Sequence, residues 1–295
     1  MPRVSVIIPT YNRAAPVREA VASVLAQTCR DFELLVVDDG STDATLEALA
    51  SFFGEIRLLR TSRRRGVSAA RNLGAAASRG EWLAFLDSDD MWLPEKLARQ
   101  LAQLEAHPEL ELCQTGETWV RRGVRVNPPQ THVKEGGQIF FRSLERCLIS
   151  PSAVVMSRRL FEAAGGFDED LPACEDYDLW LRLWRYEVGL VPEPLVIKRG
   201  GHADQLSRQW GLDRFRIRAL MKLLQGPDLP DAHRRAAANT LKEKCAIYAQ
   251  GCVKRGKADE ARFYRELGLS EAPEDWERLT NCGTMLKPGA RAGLG

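Results

Sequence analysis

The chain has 295 residues, 44% of them hydrophobic and 28% charged, with a formal net charge of +2. That balance fits an ordinary globular protein with room for one large α/β domain and an appendage, and it excludes disordered and collagen-like classes. Net charge alone points to no class of partner, and no nucleic-acid partner is expected.

No apolar run approaches the ~18–20 residues that span a bilayer. The first residues, Met1 to Ile8, are too short for a signal-peptide core and lead directly into a strand. The seven Cys residues are odd in number and form no CxxC pair. Reduced thiols in a cytoplasmic protein are therefore expected, with no disulfide framework and no zinc site.

Residues 4–8 form a short apolar strand ending at Pro9-Thr10-Tyr11-Asn12. Residues 17–26 carry helical apolar spacing after Pro16. A second buried strand at 32–37 closes on Asp38-Asp39-Gly40-Ser41, and a helix is expected over 42–53. A strand at 56–60, an Ala-rich helix at 66–77, a strand at 82–86 and a helix at 94–107 follow. Strands alternating with helices predict right-handed βαβ units and a mostly parallel central sheet flanked by helices.

The fourth strand ends in Asp87-Ser88-Asp89-Asp90, three carboxylates within four residues. Like charges so close repel, and burying them is costly, so a cation is expected there. Asp87 and Asp89 can converge on one hard divalent ion such as Mg²⁺ or Mn²⁺. An EF-hand is excluded, because counting from Asp87 the sixth position is Trp92 rather than Gly and the twelfth is Ala98 rather than Glu. In parallel sheets ligands bind beyond the carboxyl ends of the strands, where residues 10–12, 38–39 and 87–90 all fall. Neither GxGxxG nor GxxxxGK[ST] occurs, so a bound nucleotide would not rest its phosphates on a Gly-rich helix start. A carboxylate-held metal is the other common way to neutralise a diphosphate.

Beyond His107 the pattern loosens. Residues 110–125 can supply two strands punctuated by Gly123, and 127–130 read as loop. A helix is expected over 138–148, a strand at 152–157, and a short helix at 159–164 stopped by Gly165-Gly166. Residues 175–184 form an amphipathic helix with acids at its start, and 190–198 a last strand. From 208 to 265 the chain holds 14 Lys or Arg against 6 Asp or Glu, in three expected helices at 212–224, 233–253 and 258–267. The domain reading is therefore a catalytic α/β domain at 1–207, a basic helical extension at 208–286 and a flexible tail at 287–295.

Five stretches, in order, resemble family 2 glycosyltransferases of the GT-A fold. They are Val4-Ser5-Val6-Ile7-Ile8-Pro9-Thr10-Tyr11-Asn12, Glu33-Leu34-Leu35-Val36-Val37-Asp38-Asp39-Gly40-Ser41, Gly66-Val67-Ser68-Ala69-Ala70-Arg71-Asn72, Leu86-Asp87-Ser88-Asp89-Asp90 and Glu175-Asp176-Tyr177-Asp178-Leu179-Trp180. The resemblance covers residues 2–207, roughly 70% of the chain. It implies a metal-dependent, inverting transfer of a sugar from a nucleotide diphosphate sugar, with UDP the expected carrier, to a hydroxyl acceptor in polysaccharide or glycoconjugate synthesis. Pro9, Thr10, Tyr11, Asn12 and Asp38 would line the nucleotide pocket, with Asp39 accepting from the base and Arg71 near the diphosphate. Asp87 and Ser88 would face the donor, and Asp89 would hold the metal. Asp90 is an alternative ligand, because the run permits either register. His202, after the last strand, is a further ligand candidate.

Asp176 would be the general base, with Glu175 beside it. The same residues allow a second reading, a catalytically silent GT-A module that binds a nucleotide or glycan. The basic helices beyond 208 lie outside the resemblance and suggest either docking on the acidic catalytic domain or contact with the inner face of a membrane.

Overall fold

A computed structural model of the chain describes residues 1–127, 132–201 and 209–270. The chain divides into two compact units, one of residues 1–139 and 147–205, the other of residues 140–146 and 206–295.

The first unit opens with β1 (Val4–Thr10), α1 (Ala14–Leu25), β2 (Phe32–Asp38), α2 (Thr45–Leu49), β3 (Arg57–Arg60), α3 (Val67–Ala77) and β4 (Trp82–Phe85). It continues through β5 (Met91–Trp92), α4 (Lys96–Ala106), β6 (Leu112–Arg121) and β7 (Val124–Val126). A helix of the second unit, α5 (Phe140–Glu145), interrupts it. A 3₁₀ turn (Pro151–Ala153) then leads to β8 (Val154–Ser157), α6 (Arg158–Ala163), α7 (Glu175–Arg182) and β9 (Gly189–Gly200).

One sheet runs in the order β3-β2-β1-β4-β8-β6-β9-β5, with β7 paired to β6. The four amino-terminal strands are parallel, with Thr10 opposite Asp38 at the carboxyl end. β8 then enters antiparallel between β4 and β6, so the sheet is mixed rather than mostly parallel. β6 and β9 are again parallel, while the short β5 runs against β9.

The sheet is buried on both faces, which is why its first strands read as continuous apolar runs. On one face Val17, Val21 and Val24 of α1, Leu49 of α2 and Leu97, Leu101 and Leu104 of α4 pack over Val6, Ile8 and Val36. On the other, Ala70 of α3, Phe161 of α6 and Leu179 and Trp180 of α7 pack over Ile7, Val37 and Phe85. Gly74 lets α3 lie close on β1, since an added Cβ would stand 2.5 Å from an Ile7 methyl carbon.

Several boundaries differ from the sequence reading. The helix expected over 42–53 is short, with Asp43 accepting from Thr45 N at 3.0 Å, and a 3₁₀ turn (Ala50–Phe52) completes it. The helix expected over 138–148 spans only α5, because Leu148 and Ile149 enter the core of the first unit as extended chain. Lys96 is a surprise: it is wholly buried, donating to Gln100 Oε1 at 2.6 Å with its ammonium 3.9 Å from the Trp92 ring centre.

The second unit adds α8 (Asp213–Gln225), α9 (Asp231–Val253) and α10 (Ala258–Leu269) to α5. Leu220, Leu224, Leu241, Tyr248, Tyr264 and Leu267 are buried among these helices. Among the described residues no helix is long and apolar enough to cross a membrane. The tail expected at 287–295 lies outside the described residues.

Candidate active site at the carboxyl ends of the strands

The ends of β1 and β2 are sewn together by side chains. Asn12 N donates to Ser41 Oγ at 2.9 Å, and Asn12 Oδ1 accepts from Thr42 N at 2.8 Å. Asn12 adopts a left-handed backbone (φ 51), a conformation that Asn tolerates better than most residues. Pro9 and Thr10 are buried within β1, and among the described residues Thr10 Oγ1 finds no hydrogen-bond partner. A buried hydroxyl left unpaired is costly, and a bound polar ligand would relieve it. Tyr11 carries the Arg64 guanidinium 4.4 Å above its ring.

Asp38 and Asp39 take different roles. Asp38 Oδ1 accepts from Ser41 N at 2.9 Å and its other oxygen lies 3.1 Å from Arg60 Nε. Asp39 accepts from Gly66 N at 2.7 Å, Arg65 N at 2.9 Å and Thr61 Oγ1 at 3.0 Å. It therefore holds the loop that starts α3, favoured there by the positive end of the helix. Gly40 (φ 77) keeps that loop close, since a Cβ would stand 2.9 Å from the Arg63 carbonyl carbon.

Arg71 of α3 is the hub. It is 3% exposed and donates from Nη2 to Asp87 Oδ1 at 2.6 Å and from Nη1 to Glu175 Oε1 at 2.7 Å. Its guanidinium also lies 4.9 Å from the Phe167 ring centre. Residues separated by 16 and 104 positions are thus joined in one buried bridge. Burial raises the Asp87 carboxyl, but Arg71 and then Lys198 outweigh it and hold it below the ordinary carboxylate range. Burial wins at Glu175, whose carboxyl is pushed up despite Arg71. Arg71 itself is held firmly protonated by its two partners. Glu175, expected beside the general base, is occupied as the second anchor of Arg71.

The three carboxylates of the acidic turn do not act alike. Asp90 turns inward at 2% exposure, its Oδ2 accepting from Ser152 Oγ at 2.7 Å and its Oδ1 from Arg199 N at 2.9 Å. Burial pushes its carboxyl up to about 8. Both oxygens of Asp90, an alternative ligand by sequence, are thus engaged within the protein. Ser88 is buried, while Asp87 and Asp89 remain partly exposed. Among the described residues no group of three His, Cys, Asp or Glu is arranged to enclose a metal. Asp89 and the outer edge of Asp87 suit instead a cation that completes its shell with substrate phosphates, the usual habit of Mg²⁺. His202 lies outside the described residues.

Asp176 stands in the first turn of α7 and is partly exposed, with Oδ1 accepting from Tyr177 N at 2.7 Å. The helix beneath it is fixed by the buried Tyr177, Leu179, Trp180 and Leu181. Asp178 is almost wholly buried and pairs with Arg182 at 2.9 Å, a structural role. Entry to the helix passes through Cys174, a non-glycine residue with φ 61.

Three further residues shape the site and carried no local sequence signal. Ser152, on the 3₁₀ turn, accepts from Asp87 N at 3.2 Å while donating to Asp90. Glu117 of β6 accepts from Trp119 Nε1 at 2.9 Å and pairs with Lys134 at 3.2 Å. Burial raises its carboxyl, but Lys134 and Lys198 outweigh that and bring it down to about 2. Lys198 of β9 is the third.

Comparison with known proteins gives the family and the fold. Residues 5–164 match the model of glycosyl transferase family 2, and residues 133–222 match a glycosyltransferase-like family 2 model. An uncharacterised glycosyltransferase of Rickettsia prowazekii is 33% identical over 211 residues, 69% of this chain and 65% of that protein. An uncharacterised Mycobacterium tuberculosis protein is 31% identical, with 80% of each chain covered. The chain thus spans just under two thirds of the Rickettsia relative's length. Among solved structures, S. aureus TarS 1–349 in complex with UDP-GlcNAc superposes with a TM-score of 0.70 at 19% identity, covering 90% of this chain and 91% of that one. The mannosyltransferase PcManGT from Pyrobaculum calidifontis, in complex with GDP-Man and Mn²⁺, gives a TM-score of 0.56 at 22% identity, over 95% and 84% of the two chains. The fold is therefore the GT-A fold, and with its sequence matched from residue 5 to 164, the chain belongs to glycosyl transferase family 2.

Proposed function

We propose that the protein transfers a sugar from a UDP-sugar to a hydroxyl acceptor with inversion, using Asp176 as general base. The observation that carries this reading is the buried Asp87–Arg71–Glu175 bridge, which ties the acidic turn after β4 to the head of α7. A donor-binding turn and a base must face one reaction centre, and this bridge fixes one relative to the other. The UDP-GlcNAc complex of TarS supports the choice of donor class.

In this mechanism the acceptor oxygen attacks the anomeric carbon as the carbon–oxygen bond to the diphosphate breaks. The bonding electrons leave on the phosphate oxygen, and the hydroxyl proton passes to the Asp176 carboxylate. A hydroxyl has a high pKa and needs such a base within hydrogen-bond reach. Thr10, Tyr11 and Asn12 bind the nucleoside, and Asp39 orders the loop around it. Mn²⁺ or Mg²⁺ bound by Asp89 and Asp87 would spread the charge of the leaving diphosphate. A glycosidase would need two carboxyl groups flanking the bond with water admitted, whereas Glu175 is committed to Arg71.

The domain assignment follows the same reading: the first unit is catalytic and the second holds the enzyme near its acceptor. The basic helices α8 and α9 are suited to anionic lipid headgroups, an attraction that weakens with salt. Flotation with anionic vesicles at low and high salt tests that part, and its absence at low salt removes it. The function itself is tested by thermal shift with UDP- and GDP-sugars in Mn²⁺. A ligand at 100 times its Kd should add about 2.7 kcal/mol of stability. Stabilisation by a UDP-sugar is expected, and none by any nucleotide sugar would refute the donor reading; slow hydrolysis of a UDP-sugar in Mn²⁺ separates the enzyme from a silent binding module.

A further inference from the structure

The cations of the site differ in how far their charge is already used. Arg71 is taken by Asp87 and Glu175 at 2.6 and 2.7 Å. Lys134 is taken by Glu117 at 3.2 Å and also donates to Leu148 O at 2.8 Å. Lys198 makes no ion pair within hydrogen-bonding distance among the described residues.

Its position is nonetheless fixed. Lys198 pairs with Trp119 across β6 and β9, and Trp119 Nε1 donates to Glu117. The next amide, Arg199 N, donates to Asp90 at 2.9 Å. Successive strand side chains diverge, and the Arg199 guanidinium turns to Glu19 and Met91. The Lys198 ammonium lies within electrostatic reach of Glu117, Asp90, Asp87 and Asp176. Each of these carboxylates has another hydrogen-bond partner: Trp119, Ser152, Arg71 and the Tyr177 amide in turn. An ammonium set among carboxyls that are hydrogen-bonded elsewhere, with no direct ion pair of its own among the described residues, can donate to a further anion entering between the acidic turn and α7.

We propose that Lys198 binds the diphosphate of the donor, as the protein's own counter-charge to the leaving group beside the divalent cation. The inference rests on the nucleotide-diphosphate reading of the site. It makes Lys198 a binding group for phosphate oxygens and leaves nucleoside recognition to β1 and β2. The ammonium favours the diphosphate in the ground state and more strongly as charge builds on departure.

The test uses the full chain and isothermal calorimetry in EDTA, with UDP and uridine as probes. The parent protein is expected to bind UDP more tightly than uridine. Lys198→Met should weaken UDP by about tenfold to a hundredfold and leave uridine unchanged, while Lys198→Arg keeps most of the difference. Should Lys198→Met fail to fold, as judged by circular dichroism, Lys198→Gln supplies the comparison. Equal UDP affinity in parent and neutral variant overturns the inference, and so does equal weakening of UDP and uridine, which would mark a packing role. Parent protein that binds uridine but gains nothing from the diphosphate in EDTA also overturns it, with the nucleotide site intact. No binding of either probe, with or without Mn²⁺, removes the nucleotide reading itself and this inference with it.

Discussion

Replacing Arg71 with Met should damage stability through two carboxylates at once. The guanidinium is 3% exposed, and its partners Asp87 and Glu175 have side chains 27% and 8% exposed. Removing one partner of a buried pair leaves uncompensated charge and costs about 3–5 kcal/mol. Most of that falls on Glu175, the more buried carboxylate. Its carboxyl is already raised by burial with Arg71 present, and without Arg71 it should rise further. A carboxyl whose folded pKa exceeds its unfolded value stabilises the fold at low pH and loses that contribution as pH rises. The deficit of Arg71→Met should therefore be large at pH 7 and shrink toward pH 4–5, where Glu175 is already protonated in the folded variant.

Urea unfolding followed by tryptophan fluorescence at the two pH values measures this. Arg71→Met with Glu175→Gln should recover part of the loss, because contacting residues do not add independently. Arg71→Lys should lie between, since an ammonium cannot span both carboxylates as a fork does. A deficit below about 1 kcal/mol at pH 7, or one unaffected by pH, would refute the bridge as the element joining β4 to α7.

Two further outcomes follow from side-chain placement. Asp89→Ala should abolish metal-dependent UDP binding and Asp87→Ala weaken it, and calorimetry in which EDTA and Asp89→Ala change nothing would overturn the metal assignment. Lys96 is wholly buried with its amine brought down from 10.5 to about 7, chiefly by burial. A depressed folded lysine pKa means the unfolded chain binds more protons between pH 7 and 10, so stability should rise across that window. The difference corresponds to up to about 5 kcal/mol, partly offset in Lys96→Met because Gln100 Oε1 loses its donor. Lys96→Met should exceed the parent in stability at pH 7 by about 1–3 kcal/mol and lose that lead by pH 10; a lead independent of pH would contradict a titrating amine.

The amino-terminal half of the first unit was legible because βαβ units write themselves into local sequence. Apolar runs at 4–8, 32–37 and 82–86 are strands buried on both faces, and the polar clusters after them fall where parallel strands end. The second half was less legible because strand direction is not a local property: β8 has an ordinary apolar pattern, and only its antiparallel place beside β4 makes the sheet mixed. β5 has two residues, too few for any period.

At the site, the residue types and their order were readable, but the partners were not. Nothing near Arg71 announces Glu175, 104 positions away. Asp87, Asp89 and Asp90 look equivalent in sequence, yet one short turn sends Asp90 inward to Ser152. Lys198 lies in a strand where a single lysine carries no signal at all.

The most direct test of the account is Asp176→Asn. Asparagine keeps an oxygen for the Tyr177 amide and loses the carboxylate that takes the proton. With Tyr177, Leu179, Trp180 and Leu181 anchoring α7, the variant should fold as the parent does. Removing a general base typically costs 10²–10⁴ in rate, or about 3–5 kcal/mol in the barrier. The account predicts a transfer rate at least about a hundredfold lower with UDP and Mn²⁺ affinities unchanged. Turnover that persists while nucleotide affinity falls would contradict it, placing Asp176 in the donor pocket instead.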